Sequence, residues 1–351
     1  MPISPLKRGT RVPSTIVPSL ITTSYSAINP SYRLYALNMR YLERCCQGFG
    51  NCGNEGPRQQ RRAVMADFGL VTIPTHYTIP TVDLARWSEE NGFESIFFGE
   101  HTHIPTSRKT PFPIGGELPQ CYKEFFDPFI ALTAAAAVTK NLKVGTSVCL
   151  VPEHHPITLA KTIACLDRVS NGRFLFGIGA GWNAEEMADH GVAFKDRWRV
   201  TRERVLAMKE IWNNEVSEFH GQFVNFDPLW CWPKPVQAGG PPVLMGAMSK
   251  WAVKRIVEYC DGWMPLDGPY DLAKDLAAIK AEADRVGRPM KDFDMSVIMG
   301  PALSGQVPTE GRIRELMKMG FNRVSFLFYP EEPAKQWAVI EQYAKLIKAF
   351  R

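Results

Sequence analysis

From residue 65 onward, short apolar runs alternate with helical stretches eight times, and few folds accept that pattern. Strand-like runs fall at 68–73, 95–99, 142–150, 173–179, 242–246, 262–265, 293–299 and 323–328. Helical periodicity falls at 82–91, 127–139, 156–169, 197–213, 249–260, 271–286, 309–319 and 332–350. Runs apolar on both faces read as parallel strands covered by helices. Eight such units are the count of a TIM (β/α)8 barrel with loop insertions, and no sequence repeat competes with it. A doubly wound open sheet is the alternative. Two insertions stand out: a Pro- and Gly-bearing loop at 104–126, long enough to be a lid, and an irregular segment at 215–237 whose residues 219–226 read as a hairpin.

Charge divides the chain at the same boundary. Residues 1–64 carry nine Lys or Arg against two Asp or Glu, whereas the remainder carries 32 basic and 34 acidic residues. The basic character therefore belongs to the first segment and is poor support for nucleic-acid binding by the body. That segment lacks a hydrophobic period, so 1–64 is expected to be a disordered or irregular extension and 65–351 the folded domain. Eight cysteines, without Cys-x-x-Cys spacing or nearby His pairs, suggest neither zinc nor a disulfide framework. Cys149, Cys165 and Cys260 fall in apolar patterns and are expected as buried free thiols. No apolar run is long enough to span a bilayer, and a cytoplasmic protein is expected.

Several stretches could carry chemistry. Residues 172–186 read as strand, glycine-lined turn and helix, with Asn183 capping and Glu185 and Glu186 suiting the positive end of the helix dipole. Gly177-x-Gly179-x-Gly181 is not the dinucleotide fingerprint, because its third Gly comes one residue early. Glu100-His101-Thr102-His103 follows the second strand, at the mouth of a barrel. Hydrolytic barrels draw further His ligands from later strands, and here the last His is His220, so no metal is expected. His101 is then either a catalytic or cofactor-contacting residue or a structural rim residue. Met245 to Lys250 crosses from the fifth strand into a helix with Ser249 as its expected cap; free amides there could hold phosphate, although many such helix starts bind nothing. Phe98, Trp182, Trp263 and Phe328 could line a flat pocket or simply be core.

In order along the chain, these motifs resemble the luciferase-like monooxygenase superfamily, most closely its branch using the deazaflavin coenzyme F420. The resemblance rests on Gly99-Glu100-His101, Val144-Gly145-Thr146-Ser147-Val148, Leu166-Asp167-Arg168-Val169, Gly177 to Glu186, Pro233-Lys234-Pro235-Val236-Gln237 and Tyr259-Cys260-Asp261-Gly262-Trp263. It implies a ring cofactor across the carboxyl mouth of the barrel and a homodimer. It also implies that Glu100 and His101 are the acidic-His pair beside the ring, and that Ser147-Val148 is a non-prolyl cis peptide against its back face. Ala180, Gly181, Trp182 and Asn183 match the cofactor-flanking turn; Gly246, Ala247, Met248, Ser249 and Lys250, running on to Trp251, match the phosphate-holding helix start. In one respect the chain departs from the pattern: deazaflavin sugar-phosphate dehydrogenases carry a Glu proton donor where this chain has Trp182.

The function implied is hydride transfer between F420 and a small organic substrate, with Glu100 and His101 as catalytic residues. A monooxygenase using reduced FMN is the alternative, and a flavin-binding protein without turnover a third reading. No nucleic-acid or membrane partner is expected.

Overall fold

The computed structural model describes residues 66–351, so the basic stretch 1–64 lies outside the described residues. The strands are β1 (Asp67–Thr72), β2 (Ser95–Phe98), β3 (Lys143–Thr146), β4 (Cys149–Leu150), β5 (Phe174–Gly179), β6 (Ser217–His220), β7 (Asn225–Leu229), β8 (Val243–Met245), β9 (Gly262–Trp263), β10 (Asp294–Met299) and β11 (Arg323–Leu327). The helices are α1 (Thr81–Glu90), α2 (Pro128–Ala137), α3 (Pro156–Val169), α4 (Ala184–Asp189), α5 (Arg197–Asn213), α6 (Ala252–Tyr259), α7 (Leu272–Val286), α8 (Pro301–Ser304), α9 (Glu310–Met319) and α10 (Pro333–Ile347). β6 and β7 form the antiparallel hairpin of the second insertion.

Every other pairing is parallel. β1 pairs with β2 on one side and β11 on the other, and β3 pairs with both β2 and β5, so the sheet closes on itself and is not an open doubly wound sheet. β3 and β4 both lie along β5 and are two halves of one barrel strand, which makes the strand count eight. Between Gly145↔Leu175 and Cys149↔Ile178 that strand advances four residues while β5 advances three. The extra residue is a bulge, a device that re-aims side chains beside a site. The Ser147–Val148 peptide inside it is cis, as the resemblance implies.

Val71, Phe97, Leu175, Leu244, Met264 and Ile298, each from a different strand region, fill the barrel interior. A larger apolar layer lies between strands and helices, and it contains Phe98, Trp263 and Phe328, which are therefore core and not pocket lining. Below the interior, the amino end of the barrel is closed by charge. Arg323 is 1% exposed and forks onto Glu94 (2.9 Å twice) and Asp294 (2.6 and 2.8 Å), while Lys143 reaches Glu94 at 2.6 Å. Burial opposes ionisation of Glu94, but the hydrogen bond and charge of Arg323, with Lys143, pull its carboxyl down to about 2.

Two local expectations fail. Cys165 is exposed, because it points outward from α3 while its neighbours Ala164 and Leu166 point in; Cys149 and Cys260 are buried thiols as expected. α6 begins at Ala252, and Ser249 does not cap it: its carbonyl closes a turn onto the Ala252 amide instead (2.8 Å). Among the described residues, no helix is long and apolar enough to cross a membrane.

Candidate active site

A cavity of about 410 Å³ opens at the carboxyl ends of the strands, where barrels build their sites. Its walls bring together Glu100, His101, Ser147, Val148, Ala180, Gly181, Trp182, Gly246 and Ala247, from four separate strand ends. The 104–126 loop folds over it and contributes Phe112, Tyr122 and Phe125. This loop is pinned by Glu185 in the first turn of α4, which accepts from the Thr110 amide (2.9 Å) and hydroxyl. A second hollow, of about 620 Å³ between Leu276, Met290, Phe293 and Met319, lies at the amino end, away from these groups.

His101 is the centre of the site's polar chemistry. Its Nδ1 lies 2.7 Å from Glu186 Oε2, and its Nε2 lies 3.1 Å from the indole Nε1 of Trp182. An indole nitrogen can only donate, so Nε2 is the acceptor and Nδ1 carries the proton that Glu186 accepts. The imidazole is therefore neutral, with its tautomer fixed from both ends. The other oxygen of Glu186 accepts the Thr102 amide at 3.1 Å, which fixes the carboxylate in turn. Tyr122, Phe125 and Trp182 surround the ring at centroid distances of 5.3 to 5.6 Å.

Glu100 has a different task. Its oxygens meet the Leu150 amide (2.6 Å) and His154 Nε2 (2.8 Å), tying the end of β2 to β4 and the turn after it. Burial penalises its charge, but His154, the Leu150 amide and Cys149 outweigh that and hold its carboxyl below the ordinary value. The converse holds for His154, where burial is outweighed by the bond and charge of Glu100 and its proton affinity rises. Glu100, Cys149 and His154 also present ligand atoms within 4.8 Å of one another, a grouping no sequence spacing revealed. Nearby, Glu153 is buried, and burial together with the charges of Glu186 and Glu100 pushes its carboxyl up to about 9.

The profile of a family described as luciferase-like monooxygenase matches residues 72–338, most of the chain. The chain belongs to the luciferase-like monooxygenase family. An uncharacterized protein of Mycobacterium tuberculosis is 40% identical over 231 residues, which cover 63% of this chain and 81% of that one. An F420-dependent glucose-6-phosphate dehydrogenase of Nakamurella multipartita is 29% identical over 220 residues, 60% of each chain. Among solved structures, the monooxygenase RslO1 of Streptomyces bottropensis shares the fold, with a TM-score of 0.65 at 19% identity over 80% of this chain and 98% of that one.

In this luciferase-like barrel, not every residue marked in the sequence reaches the cavity. Asn183 lies behind the wall, its side chain capping α4 through the Glu185 and Glu186 amides (3.1 and 3.2 Å). Met248 turns its sulfur to the Leu266 amide, and Ser249, Lys250 and Trp251 stand exposed beyond Ala247. The acid that touches His101 is Glu186, read in the sequence only as a dipole-complementing residue of a helix start. The loop aromatics were equally hidden. Only their place in a long insertion between strand and helix marked them.

Proposed function

We propose that this luciferase-like protein is an oxidoreductase that exchanges a hydride between coenzyme F420 and a small, uncharged organic substrate. The observation that carries the reading is His101, neutral and locked by Glu186 at Nδ1, with Nε2 among the cavity walls. The seat for a flat heterocycle is supported by Val148, which stands between Gly179 and Gly246; a Cβ on either Gly would come within 2.5 and 2.4 Å of its methyls. Ser147, Val148, Ala180, Gly181, Gly246 and Ala247 would hold the ring, and Met248, Ser249 and Lys250, on the segment leading into α6, the phosphate-bearing tail. When bound, a deazaflavin supplies a two-electron hydride acceptor or donor.

The protein's own share is positioning and proton transfer. With the substrate oxygen accepting the Trp182 N–H in place of Nε2, Nε2 of His101 takes the proton of a substrate hydroxyl during oxidation, or returns it during reduction, and the carboxylate of Glu186 offsets the charge that appears on the imidazole. Phe112, Tyr122, Phe125 and Trp182 exclude water and favour an apolar substrate body. Among the described residues, the cavity lining includes neither Lys nor Arg, which favours an uncharged substrate body.

A monooxygenase using reduced FMN is the second reading, favoured by the family's description and by the likeness to RslO1. Titrating the purified protein with F420 and with FMN, by fluorescence, separates the two. Tighter binding of F420 with reduction or oxidation of a carbonyl or alcohol set is expected; tighter FMN binding with substrate-dependent oxygen uptake overturns the proposal.

A further inference from the structure

Glu153 has no part in the chemistry above, and its surroundings are unusual for a carboxylate. It follows β4 in the short turn Val151–Glu153, and its side chain is 1% exposed. Neither carboxyl oxygen has a hydrogen-bond partner among the described residues. An ionised carboxylate so placed, without donor or counter-charge, is strongly unfavourable in a low-dielectric site.

The groups around it make ionisation worse. Glu186 from α4 and Glu100 from the end of β2 are the carboxylates whose charges act on it, and Glu186 is within hydrogen-bond reach. His190, which ends α4, has Nε2 at 3.8 Å, but burial and the neighbouring His103 lower its proton affinity, so it offers no firm positive charge. His154 is engaged by Glu100, and Cys149 is a neutral thiol, its proton affinity raised by burial. Arg204 from α5 donates to the Val151 carbonyl at 3.1 Å and makes no ion pair with Glu153. Two acceptor-only carboxylates cannot bond to each other, whereas a carboxylic acid beside a carboxylate can.

We propose that Glu153 is a carboxylic acid that donates its proton in a hydrogen bond to Glu186, so that Glu153, Glu186 and His101 form one chain ending at the cavity. Glu153 is then a positioning residue. Its O–H occupies a lone pair of Glu186, holds that carboxylate oriented toward Nδ1 of His101, and leaves a single negative charge behind the imidazole. No proton leaves the chain: the one His101 takes from a substrate hydroxyl stays on Nε2, and the Glu153 proton stays between the two carboxyls. The role of the chain in turnover rests on the reading of His101 given above, but the protonation of Glu153 does not.

The test therefore begins on cofactor-free protein. Infrared difference spectra between wild type and Glu153→Gln at pH 7 are expected to show a buried carboxylic-acid carbonyl band in wild type, shifted in heavy water and missing from the variant. A group with raised proton affinity in the fold binds more protons there than when unfolded, so wild type loses stability as pH rises from the ordinary carboxyl range toward 9. Glu153→Gln, whose amide can donate in the same place without titrating, is expected to melt higher than wild type at pH 8 and to show a flatter pH dependence. With cofactor bound, Glu153→Gln is expected to turn over within about threefold of wild type at pH 7, and Glu153→Leu, which offers no donor, to lose about tenfold or more. Absence of the acid band, or a Glu153→Gln variant as impaired as Glu153→Leu, overturns the proposal. If the band is present and the protein binds neither F420 nor FMN, the protonated acid stands and the functional reading fails.

Discussion

Replacing Glu186 by Gln tests the site most directly, because the two oxygens of Glu186 accept from two different donors. Oε2 takes the Nδ1 proton of His101 at 2.7 Å and Oε1 takes the Thr102 amide at 3.1 Å, with the carboxylate fully buried. An amide has only one oxygen, so one donor must face the NH2 group. If that donor is His101, its proton must move to Nε2, where it collides with the indole N–H of Trp182. If it is Thr102, the chain at the end of β2 shifts. A hydrogen bond to a charged group contributes about 1.5–3 kcal/mol, and this one tightens as positive charge grows on the imidazole. Its loss should slow proton-coupled hydride transfer by roughly 10- to 150-fold. The assay is single-turnover absorbance of the bound cofactor, with near-ultraviolet circular dichroism confirming the fold. Trp182→Phe removes the competing N–H, so the double variant should recover part of the loss in a double-mutant cycle. A folded Glu186→Gln protein with a hydride step within threefold of wild type would refute the tautomer argument.

At the other end of the barrel, Arg323→Met leaves half-buried Asp294 without its cation and Glu94 with Lys143 alone, and should cost about 3 kcal/mol in urea unfolding. Glu94 is held at about 2, below its unfolded value, so the stability it supplies is complete above the ordinary carboxyl range and lost as pH falls toward 2. The same variant should flatten that acid limb, and an unchanged limb would reassign it to other carboxyls. Gly246→Ala drives a Cβ to within 2.4 Å of a Val148 methyl, so about 1–3 kcal/mol of overpacking is expected together with weaker cofactor binding. Val148→Ala should restore both in calorimetry and titration; failure to do so would place the strain elsewhere. A neutral imidazole beside an indole N–H suits a hydroxyl, which can donate to Nε2 and accept from Nε1, better than a ketone, which only accepts. Alcohols should therefore bind more tightly than the matching ketones; equilibrium dialysis showing the reverse order would contradict the assigned proton.

Most of the barrel could be read before any coordinates, because strands buried on both faces leave an uninterrupted apolar signature. β2 and β5 are buried at every position, and the sequence runs that form them could hardly do otherwise. Helix faces are less legible. Cys165 sits between inward-facing Ala164 and Leu166, and an apolar neighbourhood in sequence does not say which side of α3 a residue takes. Ser249 failed as a cap for a related reason: a capping residue type is common before helices, but where the first helical turn starts depends on how the chain leaves β8, here three residues further on.

The site divides in the same way. Glu100 and His101 are legible because they end a strand, and strand ends converge in any closed parallel barrel. Their division of labour is not, since it depends on partners 85 residues away for His101 and 54 for Glu100. Glu186 looks complete as a first-turn acid of α4, and its local role hides the distant one. Trp182 shows what such concealment implies for chemistry. In place of an acid that could deliver a proton, the turn carries a donor that cannot give one up, so of the two side chains hydrogen-bonded to the His101 ring among the described residues, Glu186 is the one that can exchange charge with it. On the cavity side the Trp182 indole N–H stands 3.1 Å from Nε2, so a substrate oxygen accepting from the indole would lie where Nε2 can take its proton, while Glu186 holds the opposite side of the ring.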